Sequence, residues 1–182
     1  MSIKFSPNAP VDTVNKMGSW AEKLKHELSA PDQNQTLSVS DGYEVHYLSL
    51  KEIVAGRLVD NPDCSRWRHM VSVGDQLVAE VELDESQSPI ALHMGPGKDG
   101  LSTTVSLASS LDGDYEASVL SVAPLKFIAL WLKGDNDDLI IPYAPNATSL
   151  KNGVAVPVRD VLDVLKPLAQ DVINSTTNDT GG

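Results

Sequence analysis

The side chains in this sequence most suited to nucleophilic or acid–base work are one cysteine, Cys64, and four histidines, His26, His46, His69 and His93. Cys64-Ser-Arg-Trp-Arg-His69 resembles a phosphatase loop only superficially. Met70 stands where the oxyanion-binding arginine belongs, and no glycines lie between to let backbone N–H groups converge on a phosphate. No Gly-X-Ser-X-Gly elbow occurs that would expose a serine nucleophile. Gly95-Pro96-Gly97-Lys98 has the small residues and the cation of a phosphate cradle. A Walker loop, however, needs glycine at Leu92 and a hydroxyl residue at Asp99, so the segment reads as a surface turn.

Metal-ligand spacings fare no better. No two histidines sit one helical turn apart and no Cys-X-X-Cys is present, which removes the common zinc frameworks. Asp112-Gly-Asp114-Tyr-Glu116 and Asp135-Asn-Asp137-Asp138 offer oxygens suited to calcium. Twelve-residue loops from Asp112 or Asp135 would end on Ala123 or Asn146, where an EF-hand needs a bidentate glutamate, so both read as solvated hairpin turns. Glu80, Glu82, Asp84 and Glu85 line one acidic strand end and cannot be placed as a glycosidase pair. No metal and no cofactor is expected. His69 is the one histidine whose pattern puts it on an apolar face, where burial would shift its titration.

The elements that must position these groups follow from periodicity. Val11, Val14, Met17, Trp20 or Ala21, Leu24 and Leu28 recur every three or four residues, which predicts an amphipathic helix roughly from Pro10 to Leu28. Leu37 and Val39, then Tyr43, Val45 and Tyr47, alternate about Asp41-Gly42, predicting a hairpin with a three-residue loop that pairs Val39 with Tyr43. Ser49-Leu50-Lys51-Glu52 is a capping box, opening a short helix that runs toward Leu58 before Asn61-Pro62. Arg66 to Leu83 predicts a second hairpin, looped at Val73-Gly74-Asp75. It pairs Trp67 with Val81 and His69 with Ala79 on an apolar face, and Arg68 with Glu80 on a salt-bridged one.

Asp84 to Gly100 is turn-rich around Ile90 to Leu92. Leu101 to Leu111 fits a strand by its Thr103-Thr104-Val105 and a helix by its stripe; strand is the expectation. Tyr115 to Val122 reads as another strand. Phe127 to Leu132 is apolar at every position, which predicts a central strand covered on both faces, with Leu139 to Ile141 returning beside it. Val158, Val161, Leu162, Leu165, Leu168, Ala169 and Val172 line a C-terminal helix with Pro167 inside it, where a kink or break is expected.

A chain of 182 residues with 41% hydrophobic and 21% charged residues fits one folded domain. A net charge of −11 repels phosphate backbones and anionic lipid, so neither nucleic acid nor membrane is an expected partner. A lone cysteine excludes an internal disulfide, and no signal-peptide pattern opens the sequence, so the expected location is cytoplasmic. The sequons at Asn34, Asn146, Asn174 and Asn178 read as chance.

The expected architecture is α+β: a mostly antiparallel sheet of about five to seven strands with N- and C-terminal helices packed on it. Residues 1–29 form the amphipathic helical segment, 30–173 the domain and 174–182 a disordered tail. With every catalytic template missing a required position, the leading expectation is a non-enzymatic protein-interaction domain acting on another protein or on copies of itself. The alternative is a small-molecule-binding protein or enzyme with a pocket near the 84–100 loop, using His69, His93, Gly95, Gly97 and Lys98.

Overall fold

The computed structural model describes residues 3–5, 17, 20, 37–58, 65–74, 76–84, 86–94, 96–135 and 137–178. In chain order the elements are β1 (Ile3–Phe5), β2 (Leu37–Val39), β3 (Tyr43–Tyr47), α1 (Leu50–Val54), β4 (Ser65–Val73), β5 (Gln76–Leu83) and β6 (Pro89–His93). They continue with α2 (Pro96–Ala108), β7 (Tyr115–Val122), β8 (Phe127–Lys133), β9 (Leu139–Pro142), β10 (Val156–Pro157) and α3 (Val158–Asn178).

All ten strands join one sheet, in the order β10-β9-β8-β7-β3-β4-β5-β6, with β1 added beside β7 and β2 beside β4. The α+β class is as expected, but the sheet is larger and it is mixed. β1 and β3 both run parallel to β7, along successive parts of the same edge. Phe127 to Leu132 forms the body of β8, between β7 and β9, with all but Ile128 buried, as an all-apolar hexapeptide requires.

Helices cover both faces. On one, α1 and α3 place Ile53, Val161, Leu162, Leu165 and Ala169 on Leu120, Phe127, Ala129 and Trp131. Further along that face Met17 is buried against Val71, Ala79, Val81 and Leu83. Met17 and Trp20 are the described residues of the predicted helix from Pro10 to Leu28, and the rest of it lies outside the described residues. On the opposite face, Leu101 and Ala108 of α2 pack on Val45, Val119, Leu130 and Leu132.

Four expectations are corrected. Leu37 to Tyr47 is not a hairpin: β2 and β3 both pair antiparallel with β4, which at nine residues is long enough to hold them end to end. Ser40 spans the junction, its backbone N–H donating to Met70 O and its Oγ accepting from Met70 N–H, both at 2.9 Å. Two strands of one long partner outweigh the local turn signal of Asp41-Gly42.

The β4–β5 hairpin keeps the predicted faces but slides by two residues, so that Arg68 lies opposite Glu82 and His69 opposite Val81. Its loop is two residues, with Gly74 at a left-handed φ of +57°, and a bulge after Val71 absorbs the odd residue. Gly97 to Ala108 is neither surface turn nor strand; with Pro96 it forms α2, and its buried stripe of Leu101, Thr104 and Ala108 outweighs the β-branched run. Finally, α1 is closed by Gly56 at φ +71°, short of Leu58, and leaves Val54 exposed.

The capping box at Ser49 and Glu52 is formed as predicted. α3 is unbroken through Pro167, which lies on its exposed side, and it continues through Asn174 to Asn178, where the sequence reading begins a disordered tail. Among the described residues no helix is long and apolar enough to cross a membrane.

Candidate functional site

Alternation along β4 and β5 sends Arg68, Glu80 and Glu82 to the face that α2 covers, so the charges expected at a solvated surface are buried there, each at 9% exposure or less. Burying an ion pair is tolerated only when hydrogen bonds replace the lost water. Arg68 Nε–H donates to Glu82 Oε2 at 2.9 Å, and its terminal nitrogens donate to Tyr47 Oη at 2.6 Å and to Glu80 Oε2 at 3.4 Å. Tyr47 Oη–H donates to the same Glu82 oxygen at 2.6 Å, and His93 Nε2 lies 3.1 Å from it. Strands β3, β4, β5 and β6 are thus tied together through one carboxylate.

Burial pushes the Glu82 pKa up, but the hydrogen bonds from His93 and Tyr47 and the Arg68 charge outweigh it and hold the carboxyl at about 2. Tyr47 moves the other way, to about 12, chiefly through burial. Burial would lower the Arg68 pKa, yet the surrounding phenols and Glu82 raise it further. Tyr43 and Tyr143 are pushed well up by burial and by Glu80, so both phenols stay neutral. Arg68 and Glu82 thus form a locked ion pair.

His93 is the network's member on β6, the last strand of the sheet. Among the described residues nothing pairs with the outer edge of β6. Ile90 is 54% exposed and Met94 62%, more than the other exposed large apolar side chains of the described residues. Leu92 lies on the face opposite the network and Met94 follows it by alternation, while Ile90 falls at the register shift opposite Leu83. β6 carries no Lys, Asp or Glu; Pro89 and the register shift opposite Leu83 interrupt only the start of this edge. At the other end of the sheet β10 is two residues long and includes Pro157, which blunts it.

His69 and His93 do not meet: their side chains leave opposite faces of the sheet. His69 is fully buried, with Nδ1 2.9 Å from Ser40 O, so Nδ1 carries the proton and donates. Its Nε2 has no hydrogen-bond partner among the described residues, and burial lowers its pKa. Gly42 makes this possible, since a Cβ there would stand 3.1 Å from the imidazole. Gly97 and Lys98 belong to the first turn of α2, while Gly95 and Cys64 lie outside the described residues.

Two further groupings were not legible from spacing alone. Glu44, His46 and Ser118, the residue types of a hydrolytic triad, share the face of His69 on neighbouring strands. His46 Nε2 is 3.7 Å from Glu44, but the buried Ser118 Oγ makes no hydrogen bond among the described residues, so no nucleophile–base contact exists. The acidic turns at 112–116 and 135–138 come together at one end of the sheet. There Asp114, Tyr115, Glu116 and Asp135 line an open groove of about 490 Å³ with Lys4 and Lys133. Among the described residues no group of three or more His, Cys, Asp or Glu is arranged to hold a metal ion. Comparison with protein-family models, curated proteins and solved structures finds no match to this chain.

Proposed function

We propose that this chain is a non-enzymatic cytoplasmic protein-interaction domain that accepts an extended strand, from another protein or from a second copy of itself, against β6. The observation that carries the reading is that, among the described residues, the sheet's open edge coincides with the two most exposed large apolar side chains, Ile90 and Met94. An added strand satisfies the unpaired backbone groups of the edge, while the exposed Ile90 and Met94 supply side-chain contacts. The Arg68–Glu82–His93 ties support the reading by holding β6 in place before a partner arrives, so that little ordering is left to be done on binding.

Light scattering on the eluting full chain and affinity capture from its own cells test this, each run beside Ile90→Lys/Met94→Lys. A dimer or captured partner lost in the double variant supports the proposal. A wild-type monomer that captures nothing, or a complex indifferent to both lysines, refutes it.

A further inference from the structure

Asn152-Gly153 is the only Asn-Gly pair in the sequence, and such a pair carries its own chemistry. The glycine nitrogen, unhindered by a Cβ, attacks the side-chain carbonyl carbon of the asparagine. The Cγ–Nδ2 bond breaks, ammonia leaves and a succinimide closes. Water then opens either carbonyl, giving aspartate or isoaspartate and one additional negative charge.

Both reacting groups are held in the loop between β9 and β10. Gly153 N–H donates to Pro142 O at 2.8 Å, so the nucleophilic nitrogen is committed to the end of β9. Asn152 Oδ1 accepts from Asn146 Nδ2 at 2.9 Å, and the same nitrogen donates to Leu150 O at 2.8 Å. Asn146 is itself fixed through Oδ1, which accepts from Thr148 N–H at 3.0 Å and from Thr148 Oγ1–H at 2.7 Å. Asn152 is exposed, so water for the second step is at hand and only the first step is restrained.

We propose that Asn152 is a latent deamidation site, kept unreactive in the folded chain by the Asn146 side chain and the Gly153–Pro142 hydrogen bond. Attack requires the Gly153–Pro142 bond to open so that the nitrogen can give up its proton to the departing ammonia, and the Asn146 bond restrains the side-chain rotation that brings Cγ to it, which couples the reaction to local opening of this loop. The Asn146-Ala147-Thr148 sequon acquires a structural meaning from the same contacts: both amide hydrogens of Asn146 are used within the loop.

The test incubates the full chain at mildly alkaline pH, with and without urea, and follows isoaspartate at residue 152 by peptide mass spectrometry. The folded wild type is expected to react at least about tenfold more slowly than the urea-unfolded chain. Asn146→Ala, confirmed folded by circular dichroism, is expected to react about fivefold faster than the folded wild type, the effect of losing one net hydrogen bond. If Asn146→Ala does not fold, Thr148→Ala, which releases Asn146 without removing it, takes its place with the same expectation. A folded wild type as fast as the unfolded chain, or a folded variant no faster than wild type, overturns the proposal.

Discussion

Glu82→Gln removes the charge at the centre of the buried network while keeping its shape. The carboxyl titrates near 4.5 in an unfolded chain and at about 2 in the fold. Each unit is worth about 1.4 kcal/mol, so the ionised form contributes about 3 kcal/mol to stability. Because the folded pKa is the lower one, the contribution is complete above about 4.5 and is lost as pH falls toward 2, where the native carboxyl also takes its proton. At neutral pH the variant leaves Arg68 with Glu80 at 3.4 Å as its remaining ion pair, and a cost of about 3 kcal/mol is expected. Urea unfolding at a series of pH values, read by the fluorescence of Trp67 and Trp131, measures both effects. Wild-type stability should fall between pH 4.5 and 2 with Glu82→Gln flatter over the same window, so that the two curves converge in acid. Parallel curves, or a neutral-pH difference under about 1 kcal/mol, would refute the argument that a paired, desolvated carboxylate governs this face.

His69 gives a second pH signature in a separate window. Its pKa is lowered from 6.5, mainly by burial, so its contribution is complete above 6.5 and is lost as pH falls below it, when the ring must accept a proton at an unpartnered Nε2. His69→Asn, which can still donate to Ser40 O, should unfold in urea with a smaller loss of stability on mild acidification than wild type; an equal loss would assign the effect elsewhere. Gly42→Ala should cost about 1 to 3 kcal/mol in thermal or urea unfolding, because its Cβ would crowd the His69 ring at 3.1 Å and Trp67 at 3.4 Å in a packed layer. An unchanged melting temperature would mean that the β2–β3 junction yields.

Where a signal was local, the sequence carried it. The capping box at Ser49, the apolar run of β8 and the stripe of α3 each specify an element from a few neighbouring residues. What failed depended on partners far along the chain. Asp41-Gly42 is a sound turn signal, but whether it folds back depends on the length of β4, more than twenty residues away. The candidate site failed for a linked reason. Reading Leu101 to Leu111 as a strand left nothing to cover the charged face of β4 and β5, so Arg68 and Glu80 looked like a surface pair worth little. Once that stretch is α2, the same alternation makes them a buried network. His93 joins it only because β6 pairs beside β5, which no pattern in Pro89 to His93 announces. The burial of His69 was legible, because it needed only the parity of its strand.

β6 is the proposed docking edge. A photoreactive amino acid placed at Met94, and in a second protein at the also exposed Leu168 of α3, compares that edge with a helix surface away from it. Illumination of each full chain in its own cells should join position 94 to a discrete protein, or to a second copy, and leave position 168 unlinked. Crosslinks of equal yield at both positions, or none at position 94, would contradict the account.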